Sequence, residues 1–337
     1  MHLTNENIIR TRAYARAGLV GNPSDGYFGK TISFTFSNFY AEVVMYPSRY
    51  LEFLPSQRDR AIYSNLEAMV ENIGTYGYYG GIRLLQAALK RFLEYCRAQG
   101  VPPPADNFSM RYFTNIPAHV GMAGSSAIIT ACFRALMAFY DIKIAQHHLA
   151  NLILSVETDE LGISAGLQDR VAQVYQGLTF MDFHRDEMES QGFGRYETLD
   201  ATPLRNVYVA YKRELSEGSE VFHNDLRVRF NASEPAVVQA MEQWANMAEG
   251  GREALLRGDE RSIGPLLNAN FDLRRQLCRI HPDNIAMIEG ARSVGASSKF
   301  TGSGGAIVGL YDDDAMYAAL DATLSSQGVA VFKPELI

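Results

Sequence analysis

Asn115-Ile116-Pro117-Ala118-His119-Val120-Gly121-Met122-Ala123-Gly124-Ser125-Ser126, running on through AIITACFRALMAFY to Tyr140, is the stretch on which the fold turns. Just upstream, residues 108–114 (FSMRYFT) alternate as a half-buried strand does. Pro117 has no N–H to give to a sheet, so the strand stops before it. Gly121 and Gly124 bracket a short turn whose backbone is expected to reach positive φ or to lie against a ligand. Ser125 and Ser126 stand where a long apolar helix begins and suit its N-cap. A helix N-terminus with free N–H groups, flanked by hydroxyls, favours an anion, and phosphate above all. The stretch lacks the lysine of the Gly-x-x-x-x-Gly-Lys-Ser/Thr loop and the third glycine of the dinucleotide fingerprint. Taken alone it is equally an ordinary capped helix after a tight turn.

Two further glycine-rich turns lie far away in the chain. Residues 21–29 carry Gly21-Asn22-Pro23-Ser24-Asp25-Gly26 between an apolar strand at 13–20 and an alternating stretch at 31–45 that reads as a hairpin. Residues 299–305 (KFTGSGG) feed an apolar strand at 306–310. Three such turns, each beside a strand, make a stronger sign of ligand approach than any one of them. Between them, helical periods fall at 60–73, 80–98 and 148–157, with a proline connection at 101–104 and a tyrosine cluster at 76–79. The cluster could flank an adenine or pack as a loop. A turn at 162–170 leads through a short helix to a strand at 177–183. A strand at 206–212, helices at 235–257, 261–280, 282–294 and 313–325, and a strand at 328–333 complete the chain. Strands and helices mixed in two groups predict an α+β protein of two lobes, changing over in the polar segment 184–203.

The 337 residues are enough for two cores. A net charge of −7 argues against nucleic acid as the main partner, since binding to phosphate backbones is dominated by Lys and Arg. It leaves room for an anionic small molecule in a local basic pocket. Cys96, Cys132 and Cys278 are odd in number and far apart, so neither a disulfide framework nor a zinc site is indicated. The N-terminus has no secretory apolar core and no run approaches a membrane span. The expectation is a cytoplasmic protein without a membrane partner.

In motif and order the three turns resemble those of the GHMP small-molecule kinases, among them galactokinase, homoserine kinase, mevalonate kinase and phosphomevalonate kinase. The closer resemblance, to the glucuronokinase branch, is carried by residues 121–126 (GMAGSS), 165–171 (AGLQDRV), Gln173-Val174-Tyr175, Met181-Asp182-Phe183 and 299–305. The common family loop runs Gly-Leu-Gly-Ser-Ser; here one residue is added before the second glycine, as in that branch. The resemblance spans nearly the whole chain. It implies a two-lobed GHMP kinase fold, with an N-terminal α/β lobe at 1–195 and a C-terminal ferredoxin-like α+β lobe at 196–337 that closes the cleft. It implies an ATP-dependent sugar-1-kinase, as monomer or homodimer, with D-glucuronate the first substrate expected. Another sugar or sugar acid (galactose-, arabinose- or heptose-like) and a non-catalytic sugar-sensing regulator on the same fold remain the alternatives.

The resemblance also implies roles. Gly121, Met122, Ala123, Gly124, Ser125 and Ser126 correspond to the triphosphate cradle. A loop serine and a helix glutamate hold Mg²⁺ in that family; Ser126, with Ser125 as its rival, and Glu157, with Glu160 as its rival, fall there. Oxygen donors suit this hard cation. Asp169 matches the catalytic aspartate that receives or orients the acceptor hydroxyl's proton. It stands at the positive end of a helix dipole. Arg16 falls where the family carries a Lys or Arg paired with that aspartate, with Arg10 and Arg12 as neighbours that could take its place. Asp25 matches an aspartate that binds sugar hydroxyls in galactokinases, while Asn22 and Pro23 replace the Glu-His found there. Gly302 and Ser303 would close over phosphates and sugar. A sugar acid needs a cation, best an arginine in a bidentate pair; Lys30, Arg170, Arg274 and Arg275 are the candidates.

Overall fold

The computed structural model describes residues 8–55, 80–101, 106–212 and 226–337. The helix expected at 60–73, the tyrosine cluster at 76–79 and the prolines at 102–104 lie outside the described residues.

Strands β1 (Ile9–Val20) and β2 (Lys30–Pro47) form a long antiparallel pair joined by the 21–29 turn. The alternating stretch at 31–45 is therefore one strand and not a hairpin. Its register against β1 jumps from Tyr14↔Tyr40 to Ala15↔Phe36, so residues 37–39 form a bulge where a turn was expected. β2 is the spine of the first sheet. One edge carries β1; the other carries β4 (Phe108–Thr114) along residues 41–47 and β5 (Leu178–Asp182) along 30–34. The short β3 (Glu52–Phe53) runs parallel to β4, and β6 (Arg195–Leu199) pairs with β5.

Helices α1 (Gly81–Ala98), α2 (Gly124–Phe139), α3 (Gln146–Ser155) and α4 (Gln168–Tyr175) belong to this half, with the short α5 (Arg185–Gln191) between β5 and β6. On β1, Ala13, Ala15, Ala17 and Leu19 alternate with period two and are fully buried. Their small side chains let α2 lie close against β1, facing it with Ala127, Ala131 and Ala135, and the turn before α2 is thereby fixed next to the strand that carries Arg16.

The change of sheet falls between Leu199 and Val207, and β6 lies wholly in the first sheet. Helices α6 (Pro235–Leu256), α7 (Ile263–Leu277) and α8 (Pro282–Ser293) separate β7 (Val207–Lys212) from β8 (Lys299–Phe300). Then come β9 (Ala306–Leu310), α9 (Asp314–Ser325) and β10 (Val329–Phe332). The four strands pair antiparallel in the order β10-β7-β9-β8. Numbered within their lobe this is 4-1-3-2, the order of a ferredoxin-like split βαβ unit. Phe271, Met287, Ile288, Phe300, Ile307, Leu320 and Leu324 fill its own core. The lobes share a boundary. α6 packs against β2, and the chain end returns to the first sheet through the Phe36↔Leu336 bridge.

Candidate active site

Arg16 sits at the centre of this boundary. β1 carries it within the strand, opposite Thr35, buried, with its guanidinium divided among three partners. Nε lies 2.7 Å and Nη2 2.6 Å from Asp169 Oδ1, while Nη1 donates to the carbonyls of Gly121 (2.9 Å) and Thr301 (2.7 Å). The aspartate at the head of α4 and two of the three glycine-rich turns are thus tied to one side chain. The turns also touch each other directly. A Cβ on Gly121 would stand 2.8 Å from the carbonyl of Gly304, and Thr301 Oγ1 donates to the Gly121 carbonyl at 3.0 Å. Gly121 has φ +67°, so glycine is required there twice over, for conformation and for space.

The helix start differs from the sequence reading. Gly124 opens α2 as its first residue, and the cap position is Ala123, held left-handed at φ 62° and ψ 44°. A non-glycine residue in this region is strained, and such strain gathers at ligand sites. The Ala123 carbonyl is gripped by Gln173 Nε2 (2.9 Å) and by the Ser126 hydroxyl (3.2 Å), which over-determines the conformation. Ser125 and Ser126 therefore lie in the first helical turn and not at the cap. Ser126 is fully buried; Ser125 is the half-exposed hydroxyl of the two.

Asp25, on the 21–29 turn, points at the 166–169 segment: its Oδ2 lies 2.5 Å from where a Cβ on Gly166 would stand. Burial, reinforced by the neighbouring Asp169 carboxylate, pushes the Asp25 carboxyl up to about 7. The other expected sugar-loop ligand, Asn22, is buried, and both its oxygens are engaged. Lys299 Nζ donates to Asn22 Oδ1 (2.5 Å) and to the Gly18 carbonyl (2.7 Å), and Asn270 Nδ2 donates to the Asn22 carbonyl (2.9 Å). Asn22 braces the loop from beneath. Burial, with Arg274 and Arg16 nearby, drives the Lys299 ammonium well below the usual lysine range.

The cations expected for a sugar acid have other partners. Lys30, expected among the substrate contacts, pairs here with Glu249 (2.7 Å) and Asp182 (3.4 Å). Arg170 is buried, forms a close ion pair with Glu157, and donates to the Gly166 carbonyl (2.8 Å). Its guanidinium ties the 157–169 connection together and also lies 3.5 Å from Asp169 Oδ2. Arg274 donates to the carbonyls of Gly302 (2.7 Å) and Ser303 (2.6 Å) and shapes the third turn; burial lowers its pKa to about 10. Arg275 pairs with Glu289 (2.9 Å) in an exposed pair. Of the alternatives to Arg16, Arg12 and Arg10 pair instead with Glu42, and the rival Glu160 pairs with Lys90.

Glu157 follows α3 in a π-helical turn, Val156–Glu160, and is buried. Its carboxylate is engaged by the Arg170 guanidinium; its oxygens and the hydroxyls of Ser125 and Ser126 are donors of the kind Mg²⁺ prefers. Among the described residues no group of three His, Cys, Asp or Glu could hold a metal.

Lys299, Asn270 and Gln173 are the supporting residues that sequence reasoning did not assign. Lys299 and Gln173 lie inside stretches already singled out, so a signal existed for them. Asn270 lies one turn before the Arg274 and Arg275 candidates on the same helix, so a signal existed for it too.

Residues 83–177 match the model of the GHMP kinases N terminal domain and 252–328 that of the GHMP kinases C terminal. Glucuronokinase 1 of Arabidopsis thaliana is 43% identical over 307 residues, covering 89% of this chain and 84% of that protein. The chain belongs to the GHMP kinase family. A second plant GHMP kinase relative, probable glucuronokinase 2 of Arabidopsis thaliana, is 42% identical over 312 residues, 90% of this chain and 84% of its own. Among solved structures, Lactococcus lactis galactokinase complexed with galactose superposes with a TM-score of 0.77 at 14% identity, over 98% of this chain and 94% of that one. At that identity the likeness is one of fold. As a GHMP kinase the protein is an ATP-dependent enzyme, and the junction around Arg16 is where its two family domains meet.

Proposed function

We propose that the protein transfers the γ-phosphate of ATP to the anomeric hydroxyl of D-glucuronate, giving glucuronate 1-phosphate. The observation that carries this reading is the Arg16–Asp169 pair at the meeting of the 121–126 and 301–305 turns, in a chain 43% identical to a glucuronokinase.

Phosphoryl transfer asks the protein for alignment and charge neutralisation more than for covalent help. The 121–126 turn, with the first N–H groups of α2, cradles the phosphates, and Gly302 and Ser303 close over them from the second lobe. Asp169 receives or orients the proton of the sugar hydroxyl. Arg16 holds that carboxylate in place and keeps both turns in register with it. Asp25 takes a neighbouring sugar hydroxyl. Ser126, or the more open Ser125, and Glu157 would hold Mg²⁺, with Arg170 fixing the Glu157 side chain. When bound, that ion neutralises charge on the phosphate oxygens. Three unbridged cysteines suit a reducing compartment such as the cytoplasm.

A coupled ADP-release assay over a panel of sugars tests the reading. Turnover fastest on glucuronate supports it. Faster turnover on galactose, arabinose or mevalonate overturns the substrate. Sugar binding without any ADP release would instead mark a sugar-sensing regulator.

A further inference from the structure

A sugar acid brings a third carboxylate to a place that already holds Asp25 and Asp169, and the cations expected to meet it are occupied. Lys30, Arg170, Arg274 and Arg275 each face a carboxylate or turn carbonyls, as described above. Arg185, which lies over the Phe28 ring at 4.0 Å, pairs with Glu189 at 3.2 Å.

Arg227 is different. It is exposed, it belongs to the second half of the chain, and it reaches back across to the 21–29 turn. Its guanidinium carbon lies 4.6 Å from the centre of the Tyr27 ring, and Nη2 lies 3.1 Å from where a Cβ on Gly26 would stand. No ion pair engages it among the described residues. Its neighbour Leu226 is fully buried in a cluster with Tyr27 and Trp244, so the backbone that presents Arg227 is anchored. Its place over the Tyr27 ring holds the guanidinium beside the 21–29 turn, and a guanidinium suits a planar acceptor. Gly26, which follows the sugar-binding Asp25 directly, has no side chain to push the guanidinium away.

We infer that Arg227 is the residue that recognises the substrate's carboxylate, pairing with it at the mouth of the cleft and setting the preference for a sugar acid over a neutral sugar. The inference rests on the glucuronate reading and deepens it.

The test compares glucuronate with glucuronamide, in which a neutral amide replaces the carboxylate, as substrates with Mg-ATP. Wild type, Arg227→Gln, Arg227→Lys and the control Arg185→Gln are measured side by side. Arg227→Gln is expected to raise KM for glucuronate by about 10- to 100-fold, with kcat and KM for ATP within about threefold of wild type. KM for glucuronamide should hardly move, so the preference for acid over amide collapses. Arg227→Lys should fall between, since an ammonium keeps the charge but not the fork. Arg185→Gln should match wild type. A wild type active on glucuronate whose preference for the acid survives Arg227→Gln, or is lost equally in Arg185→Gln, overturns this inference alone. A wild type that does not turn over glucuronate overturns the glucuronate reading and this inference with it.

Discussion

Arg16 grips a single oxygen of Asp169, Nε and Nη2 both meeting Oδ1 at 2.7 and 2.6 Å. Oδ2 faces the Arg170 guanidinium at a longer 3.5 Å, and in the proposed reaction it is the oxygen that would meet the substrate hydroxyl. Through Nη1 the same arginine holds the carbonyls of Gly121 and Thr301. One side chain from the first strand thus registers Asp169, the proposed base, against the 121–126 and 301–305 turns.

Asp169→Asn keeps the shape of this arrangement and removes the proton acceptor. The expected result is a fall in kcat of about 10²- to 10⁴-fold, with ATP affinity measured by calorimetry nearly unchanged. Wild-type turnover would remove Asp169 from the chemistry.

Arg16→Met should cost stability as well as rate. It takes the close cation from a partly buried carboxylate and removes one donor from each of two turn carbonyls, a loss of about 3 kcal/mol in denaturant unfolding. Arg16→Lys should recover only part, because a point charge cannot span three acceptors in different directions. Unfolding midpoints equal to wild type in Arg16→Met would show that the junction is held elsewhere.

Asp25 gives a dependence on pH with a definite sign. Its carboxyl is raised to about 7 in the folded protein, above its value in the unfolded chain. Between about pH 4 and 7 the folded state therefore binds more protons, and stability falls as pH rises through that window. Asp25→Asn cannot ionise, so it should lose this slope and melt above wild type at pH 8 while converging with it near pH 4. Parallel melting curves across the range would contradict the shift. The same variant should lose affinity for the sugar.

Gly121→Ala combines a left-handed backbone with a collision on the Gly304 carbonyl. The backbone term alone is about 1–2 kcal/mol. Relief comes only by parting the first and third turns, so KM for ATP should rise at least tenfold, read from initial rates at saturating sugar. An unchanged KM would mean that the contact between the turns does not serve the nucleotide.

The long periodic elements were legible in the sequence because burial patterns are local: the alternation in β1 and the apolar face of α2 are written residue by residue. The bulge in β2 and the cap at Ala123 were not. Each is set by partners elsewhere in the chain, β1 in one case and Gln173 in the other, that overrule local preference. The charged residues divide along the same line. The Arg16–Asp169 pair came from motif resemblance, since nothing near either residue announces a contact across 153 positions. For Lys30 and Arg170 the sequence shows a charge but not the carboxylates that meet it, Glu249 and Asp182 in one case and Glu157 in the other. Asn22 stands where galactokinases carry a sugar contact, and what the sequence does not show is that its oxygens meet Lys299 and Asn270, about 250 or more positions away.

The most direct test is where the phosphate goes. Wild type and Asp169→Asn are incubated with Mg-ATP and glucuronate, and the products are read by phosphorus NMR with proton coupling to the sugar. The account expects a single new resonance coupled to the anomeric proton in the wild type, and none over the same time in Asp169→Asn. A phosphate on another oxygen, or equal product from the variant, would contradict it.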